Sequence, residues 1–170
     1  DELRDKPLAR QLLSENVVLF RTANGDVGAV ADRCPHRFAP LSLGKVRGDG
    51  LECGYHGLRF ARNGQCVLNP HGSKSIPANA HIRAYPGCER YGFIWFWPGD
   101  PARADTTSVP AFPFNEDPQN FTPVFGYLDV AANYQLVVDN LLDLSHVEWL
   151  HPMFAQSGGV DAHKTEYSVE

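Results

Sequence analysis

Residues 34–58 read C-P-H-R-F-A-P-L-S-L-G-K-V-R-G-D-G-L-E-C-G-Y-H-G-L, and two short boxes in this stretch decide the fold. Cys34-Pro35-His36 and Cys53-Gly54-Tyr55-His56 each set a thiol and an imidazole within one turn of each other, with 16 residues between His36 and Cys53. Both boxes lie among Gly and Pro, the residues of tight loops that can point two side chains inward. Runs of β-branched and aromatic residues flank them, with turn signals roughly every ten residues, which reads as successive hairpins.

Working outward, residues 17–22 and 27–31 flank A-N-G-D, 45–47 and 51–53 flank G-D-G, and 58–61 and 65–68 flank R-N-G. Each is expected to be a hairpin. Residues 81–85 and 91–97 are expected to form a last pair, with Y-G-F-I-W-F-W apolar on both faces and therefore central. This first piece is all β and long enough to bury a core.

The second piece changes period. Residues 121–130 could form a strand, and N-Y-Q-L-V-V-D-N-L-L-D-L-S-H-V-E-W-L reads as one helix, capped by Asn133 and stopped by Pro152. Asp139, Asp143 and His146 would share one face of it, among leucines and valines, where carboxylates need partners. His151 would lie about 140° around from His146, the wrong face for holding one ion. Chelation therefore requires the helix to end or widen between them.

The chain has 170 residues, 43% of them hydrophobic and 21% charged, which excludes a disordered chain and suits one domain or one domain plus part of another. No apolar run approaches the roughly 18 residues needed to span a bilayer, and D-E-L-R-D-K cannot open a signal peptide. The expectation is a soluble, cytoplasmic protein with no membrane partner. A net charge of −5 argues against nucleic acid, yet residues 1–105 carry 14 Lys/Arg against 11 Asp/Glu, while 106–170 carry one against nine. Domains are accordingly expected at 1–105 and 121–170, with the Pro- and Asp-rich stretch 106–120 as linker. The missing initial Met and the strand-like ending suggest a piece of a longer protein.

Two thiols and two imidazoles could be unrelated residues or a tetrahedral zinc site, although zinc spacings usually pair Cys with Cys and His with His. Loops that mix one of each suit a [2Fe–2S] cluster with both Cys on one iron and both His on the other. C-P-H-R-F-A-P-L-S-L-G followed by C-G-Y-H-G-L resembles the Rieske domain of an oxygenase. The resemblance implies that Cys34 and Cys53 ligate one iron and His36 and His56 the more exposed one. The cytochrome bc branch adds a disulfide between the boxes and hydroxyl donors to sulfur; Ala39, Tyr55, Leu58 and Phe60 stand at those positions here. The expected potential is therefore low, about −150 mV. Cys66 and Cys88 are expected to be structural thiols, and His71 and His81 to act through hydrogen bonds.

D-x3-D-x2-H-x4-H resembles the mononuclear iron motif of Rieske non-haem oxygenases, a two-His, one-carboxylate triad. The resemblance implies His146 and His151 as iron ligands, with the third, carboxylate ligand supplied from later in the chain. Asp161, Glu166 and Glu170 fall at no comparable distance. It implies that Asp143 bridges His146 to His56 of a neighbouring subunit in a homotrimer, because the two metal sites of one chain lie too far apart for fast tunnelling. Asn140 would line the substrate pocket, and Asp139 would either orient a ligand or be an ordinary helix-face carboxylate. The fold implied is α+β, an all-β Rieske domain followed by the start of a helix-grip-like catalytic domain.

L-R-D-K-P-L-A-R-Q, N-P-H-G, E-R-Y-G-F-I-W-F-W-P-G-D-P-A and D-N-L-L-D-L-S-H are most similar to the vanillate and dicamba O-demethylase group. That implies a terminal oxygenase taking electrons from NAD(P)H through a reductase or ferredoxin, and using Fe(II) and O2 to oxidise the methoxy carbon of an aromatic acid. The alternatives are a Rieske hydroxylase or dioxygenase acting on another aromatic, or a non-enzymatic electron carrier. A carrier has no use for His146 and His151.

Overall fold

E-N-V-V-L-F-R forms the strand on which the first unit is built. In this computed structural model, which describes residues 2–153, strands β1 (Leu8–Leu12), β2 (Glu15–Arg21) and β3 (Val27–Ala31) make an antiparallel meander with β2 in the middle. Val17, Val18, Leu19 and Phe20 are all buried, and the two-residue period of a strand sends them to opposite sides. Val18 and Phe20 enter a core with Val30, Leu41, Leu51 and Phe60. Val17 and Leu19 enter a second core with Leu3, Ala29 and Tyr85.

The second sheet runs in the order β4 (Lys45–Arg47), β5 (Gly50–Glu52), β6 (Arg59–Ala61), β7 (Cys66–Leu68). Its short antiparallel pairs set Leu51 opposite both Val46 and Phe60, so Leu51 and Phe60 face the first core together. These are the hairpins expected from the turn signals.

The last pair differs from expectation. Residues 91–97 do not pair with 81–85: β8 (Gly87–Arg90) pairs with β9 (Phe93–Phe96) in a separate two-stranded sheet, and β9 is at most half-buried. Segment 80–85 instead stitches the two larger sheets together, with the Ala31 and Tyr85 amides donating to Arg83 and Ala29 carbonyls, and the Cys66 and Ile82 amides to those of Ala80 and Gly64. Pro77 and Pro86 bracket this segment, and Pro86 has no N–H to extend a ladder, so the next strand begins at Gly87. The strands with two buried faces are β2 and β3 and not 91–97: Val18, Phe20 and Val30 enter one core, while Val17, Leu19 and Ala29 enter the other.

One ion pair beside the second core carries a pH dependence. Tyr85 donates its hydroxyl to Glu15, and Arg83 binds the same carboxylate at 2.7 Å. Burial first, and the Glu15 charge next, push the Tyr85 phenol up to about 12. A phenol whose folded value is raised contributes stability that is complete below its ordinary value of about 10 and is lost as pH rises through the folded one. We expect a phenolate absorbance step near pH 12 that Tyr85→Phe removes, together with the alkaline loss of stability that accompanies it. All tyrosines titrating together near 10 would contradict this.

Part of the stretch 98–123 packs on the β8–β9 hairpin, through the Phe112 ring and the Asn115 side chain, which donates to the Tyr91 carbonyl at 2.9 Å. Asp100 and Asp105 cap short 3-10 turns at Pro101–Arg103 and Thr106–Ser108, each accepting from the amide two residues on. Phe112 stacks on Trp95 at 6.1 Å between centroids, with the planes 15° apart. The chain divides into compact units at residues 1–123 and 124–170.

No strand forms over 121–130, where the first unit ends and the second begins. The helix expected to run from 134 to 150 is broken: α1 spans Tyr134–Leu142, a 3-10 turn spans Leu144–His146, and α2 spans Val147–Leu150. Asn133 caps α1 through its side chain, as expected. Asp143 ends α1 at φ −84°, ψ 94° and caps the next turn by accepting from the Ser145 amide at 3.0 Å. Among the described residues no helix is long and apolar enough to cross a membrane.

Candidate metal centres

Both boxes sit on loops that leave the sheets at neighbouring points. The first lies between β3 and β4 and closes tightly, with the Cys34 amide donating to the Ala39 carbonyl and the Phe38 amide to the Cys34 carbonyl, each at 2.9 Å. Asp32 clamps its far side, accepting from the Ser42 amide at 2.7 Å and hydroxyl at 2.6 Å. The second joins β5 to β6, turning through Gly57 at φ +72°, with the Gly57 amide donating to the Cys53 carbonyl at 3.0 Å. The loops meet backbone to backbone. A Cβ at Gly44 would stand 2.0 Å from the Glu52 oxygen, and one at Gly54 would stand 2.9 Å from the Leu43 oxygen, so neither position admits a side chain.

Cys34 and Cys53 are 2% and 3% exposed and lie in the same buried core cluster. His36 and His56 stand nearer the surface, their rings 4.6 Å apart between centroids at 62°. Among the described residues no three His, Cys, Asp or Glu side chains are grouped to hold a single ion. The donors come as a deep thiol pair and a shallow imidazole pair, which fits two irons and not one tetrahedral zinc.

Burial pushes the Cys34 thiol up, and the Cys53 sulfur adds to this, while the amides of His36 and Arg37 directed at its sulfur pull the other way. Burial also lowers the basicity of His56, reinforced by His36, His71 and Arg37, which leaves a neutral imidazole ready to ligate. The thiols must release protons to bind metal, so assembly should weaken as pH falls. Leu58 is half-buried and Phe60 fully buried against the thiol core, so no hydroxyl stands there to donate to sulfur. We expect a midpoint potential near −150 mV once the cluster is bound, and a value above about +100 mV would contradict this.

All four cysteines are free thiols. Cys66 is buried in β7 with its sulfur directed to the Leu68 carbonyl, and Cys88 is half-buried in β8. His81 joins Gln65 in an isolated bridge through its backbone. His71 bonds the His56 carbonyl, a contact for which the sequence offered only the N-P-H-G turn as a signal.

In the second unit the break at Asp143 brings His146 and His151 together, with ring centroids 5.5 Å apart. The wrong-face problem of a continuous helix disappears because His146 ends a 3-10 turn and His151 caps α2. His146 Nδ1 is shut off from water with no hydrogen-bond partner among the described residues, which suits a nitrogen that a cation or a further hydrogen-bonding group would satisfy. Asp143 is exposed, and hydrogen bonds from the Ser145 hydroxyl and amide hold its carboxyl below the ordinary range. Asp139 and Asn140 lie on exposed α1. Asp161, Glu166 and Glu170 lie outside the described residues. The helix break was readable in principle, since D-L-S is a side-chain cap signal inside the apolar run.

Residues 1–86 match the model of the Rieske [2Fe-2S] domain, and residues 130–170 match that of the vanillate O-demethylase oxygenase C-terminal domain. The chain is 46% identical over 169 residues to the dicamba O-demethylase oxygenase component of Stenotrophomonas maltophilia, covering 99% of this chain and 50% of that protein. It is 44% identical to the toluene-4-sulfonate monooxygenase system iron-sulfur subunit of Comamonas testosteroni, covering 84% of this chain and 41% of that one. The crystal structure of dicamba monooxygenase with non-heme iron and dicamba superposes with a TM-score of 0.81 at 49% identity, over 86% of this chain and 45% of the other. The chain thus spans about half the length of the relatives it matches. Two loops that pair thiols below imidazoles, and a sequence match running through both, place this chain in the Rieske [2Fe–2S] family, on the oxygenase branch near the dicamba and vanillate O-demethylase components.

Proposed function

We propose that this chain supplies the electron-transfer domain and two iron-ligating imidazoles of the terminal oxygenase of a multicomponent Rieske monooxygenase. The observation that carries the reading is the meeting of His146 and His151 across the helix break, on the same chain as the cluster loops. A pure electron carrier has no need of it. When bound, the [2Fe–2S] cluster supplies one-electron storage and the mononuclear ferrous iron supplies O2 activation.

In this reading Cys34 and Cys53 hold one iron of the cluster, and His36 and His56 hold the other. His146 and His151 hold the ferrous ion with a carboxylate from elsewhere. Asp143, exposed and anionic, accepts a hydrogen bond from His146 and from His56 of a neighbouring subunit in a trimer, so that electrons cross between chains. Asn140 faces the substrate.

The reaction proposed consumes an aromatic methoxy acid, O2, NAD(P)H and a proton; one oxygen enters the methoxy carbon and the other leaves as water. The resulting hemiacetal collapses to a phenol and formaldehyde. A flavin reductase or a ferredoxin delivers the two electrons. The likeness to a toluene-4-sulfonate monooxygenase subunit, at nearly the same identity, favours as second reading hydroxylation of another aromatic substrate. The test is the full-length protein with its reductase and a panel of methoxy- and methyl-substituted benzoates and sulfonates. O2-dependent formaldehyde is expected from a methoxy acid. Hydroxylated product without formaldehyde would support the second reading, and no product from any substrate by iron-loaded protein would overturn both.

A further inference from the structure

His71 lies in the N-P-H-G stretch, which the function above leaves unused. Its Nε2 stands 2.7 Å from the His56 carbonyl oxygen. A carbonyl only accepts, so Nε2 carries the proton and donates. The turn that presents His71 is itself tied down. The His71 amide donates to Asn69 Oδ1 at 3.1 Å, Asn69 Nδ2 donates to the Ser75 carbonyl at 2.7 Å, and the Lys74 amide donates to the His71 carbonyl at 2.9 Å. The same turn leans on the second box at a separate point, where a Cβ on Gly57 would meet Pro70 Cγ at 3.2 Å. His71, His56 and His36 line one cavity of about 450 Å³, with the His71 and His56 rings 6.1 Å apart between centroids. An incidental surface histidine would need none of these ties.

We propose that His71 is a positioning residue for the cluster: its Nε2–H holds the His56 carbonyl and so fixes the backbone from which His56 presents its ring. Box two is a short turn followed directly by Gly57 at positive φ, so a peptide group released there can rotate and carry the ring with it. Ligand rings must be held to within about 0.5 Å for a metal site to be well defined. The proposal rests on the reading of Cys34, His36, Cys53 and His56 as the cluster ligands.

The test uses the full-length protein with its cluster assembled, comparing wild type with His71→Gln, whose amide nitrogen reaches the same place and donates, and His71→Leu, which cannot donate. His71 is exposed, so neither change should alter the melting temperature of the cluster-free protein. His71→Leu is expected to shift and broaden the EPR signal of the reduced cluster, move its midpoint potential, and lose visible absorbance to an iron chelator about tenfold faster. His71→Gln should match wild type in all three. The proposal is overturned if His71→Leu is indistinguishable from wild type, or if His71→Gln is as impaired as His71→Leu. A wild-type protein that assembles no [2Fe–2S] signal would instead overturn the cluster reading, and the proposal with it.

Discussion

Cys53→Ser should abolish the visible absorbance and the rhombic EPR signal of the cluster while leaving the β domain folded. The hydroxyl is close to the thiol in size but does not ionise near neutral pH, and the thiolate is the ligand that iron requires. Cys53 is 3% exposed in the core that holds Phe60 and Leu51, so the substituted hydroxyl is buried, at a cost of about 1–3 kcal/mol. That is a fraction of a domain's stability, and far-UV circular dichroism should show the strands intact. Cys66→Ser is the control: Cys66 shares that core but belongs to neither metal-binding box, so the cluster should survive. Full iron and sulfide content in Cys53→Ser would contradict the ligand assignment.

Asp143→Asn in the full-length protein should reduce NADH-coupled turnover about 10–100-fold with both metal sites still filled. Asparagine keeps an oxygen able to accept from the Ser145 amide, so the cap that starts the turn carrying His146 persists. What is lost is the negative charge that would hold His146 and the neighbouring subunit's His56 in register. Asp143→Ala removes the cap as well and so confounds position with charge. Rapid mixing of reduced protein with O2 and substrate should show slowed cluster reoxidation in Asp143→Asn. Unchanged turnover would remove Asp143 from the electron route.

The cluster loops were legible because their chemistry is local. Each box puts its Cys and His within four residues of chain, and Gly and Pro around them state that the chain turns there. The pairing of 81–85 was not legible, since the sequence records that these residues suit a strand but not which edge they reach. Y-G-F-I-W-F-W looked central because it is aromatic throughout, yet its rings pack against Phe112 and neighbouring side chains on a two-stranded hairpin. In the second unit, hydrophobic period carried the reading straight through Asp143. A helical pattern of leucines outweighed a cap signal that a short polar side chain delivers in three residues.

The sequence alone therefore determined the first three hairpins, the loops that bear thiols and imidazoles, and the family, since these depend on residue type at fixed short spacing. The tertiary structure decided what depends on contacts between distant segments. Among these are the two strands, β2 and β3, with a core on each face and the stacking of the two cluster loops at Gly44 and Gly54. The hold of His71 on His56 is another. The approach of His146 to His151 belongs with them despite its short range, because a single cap at Asp143 overrides the helical period there.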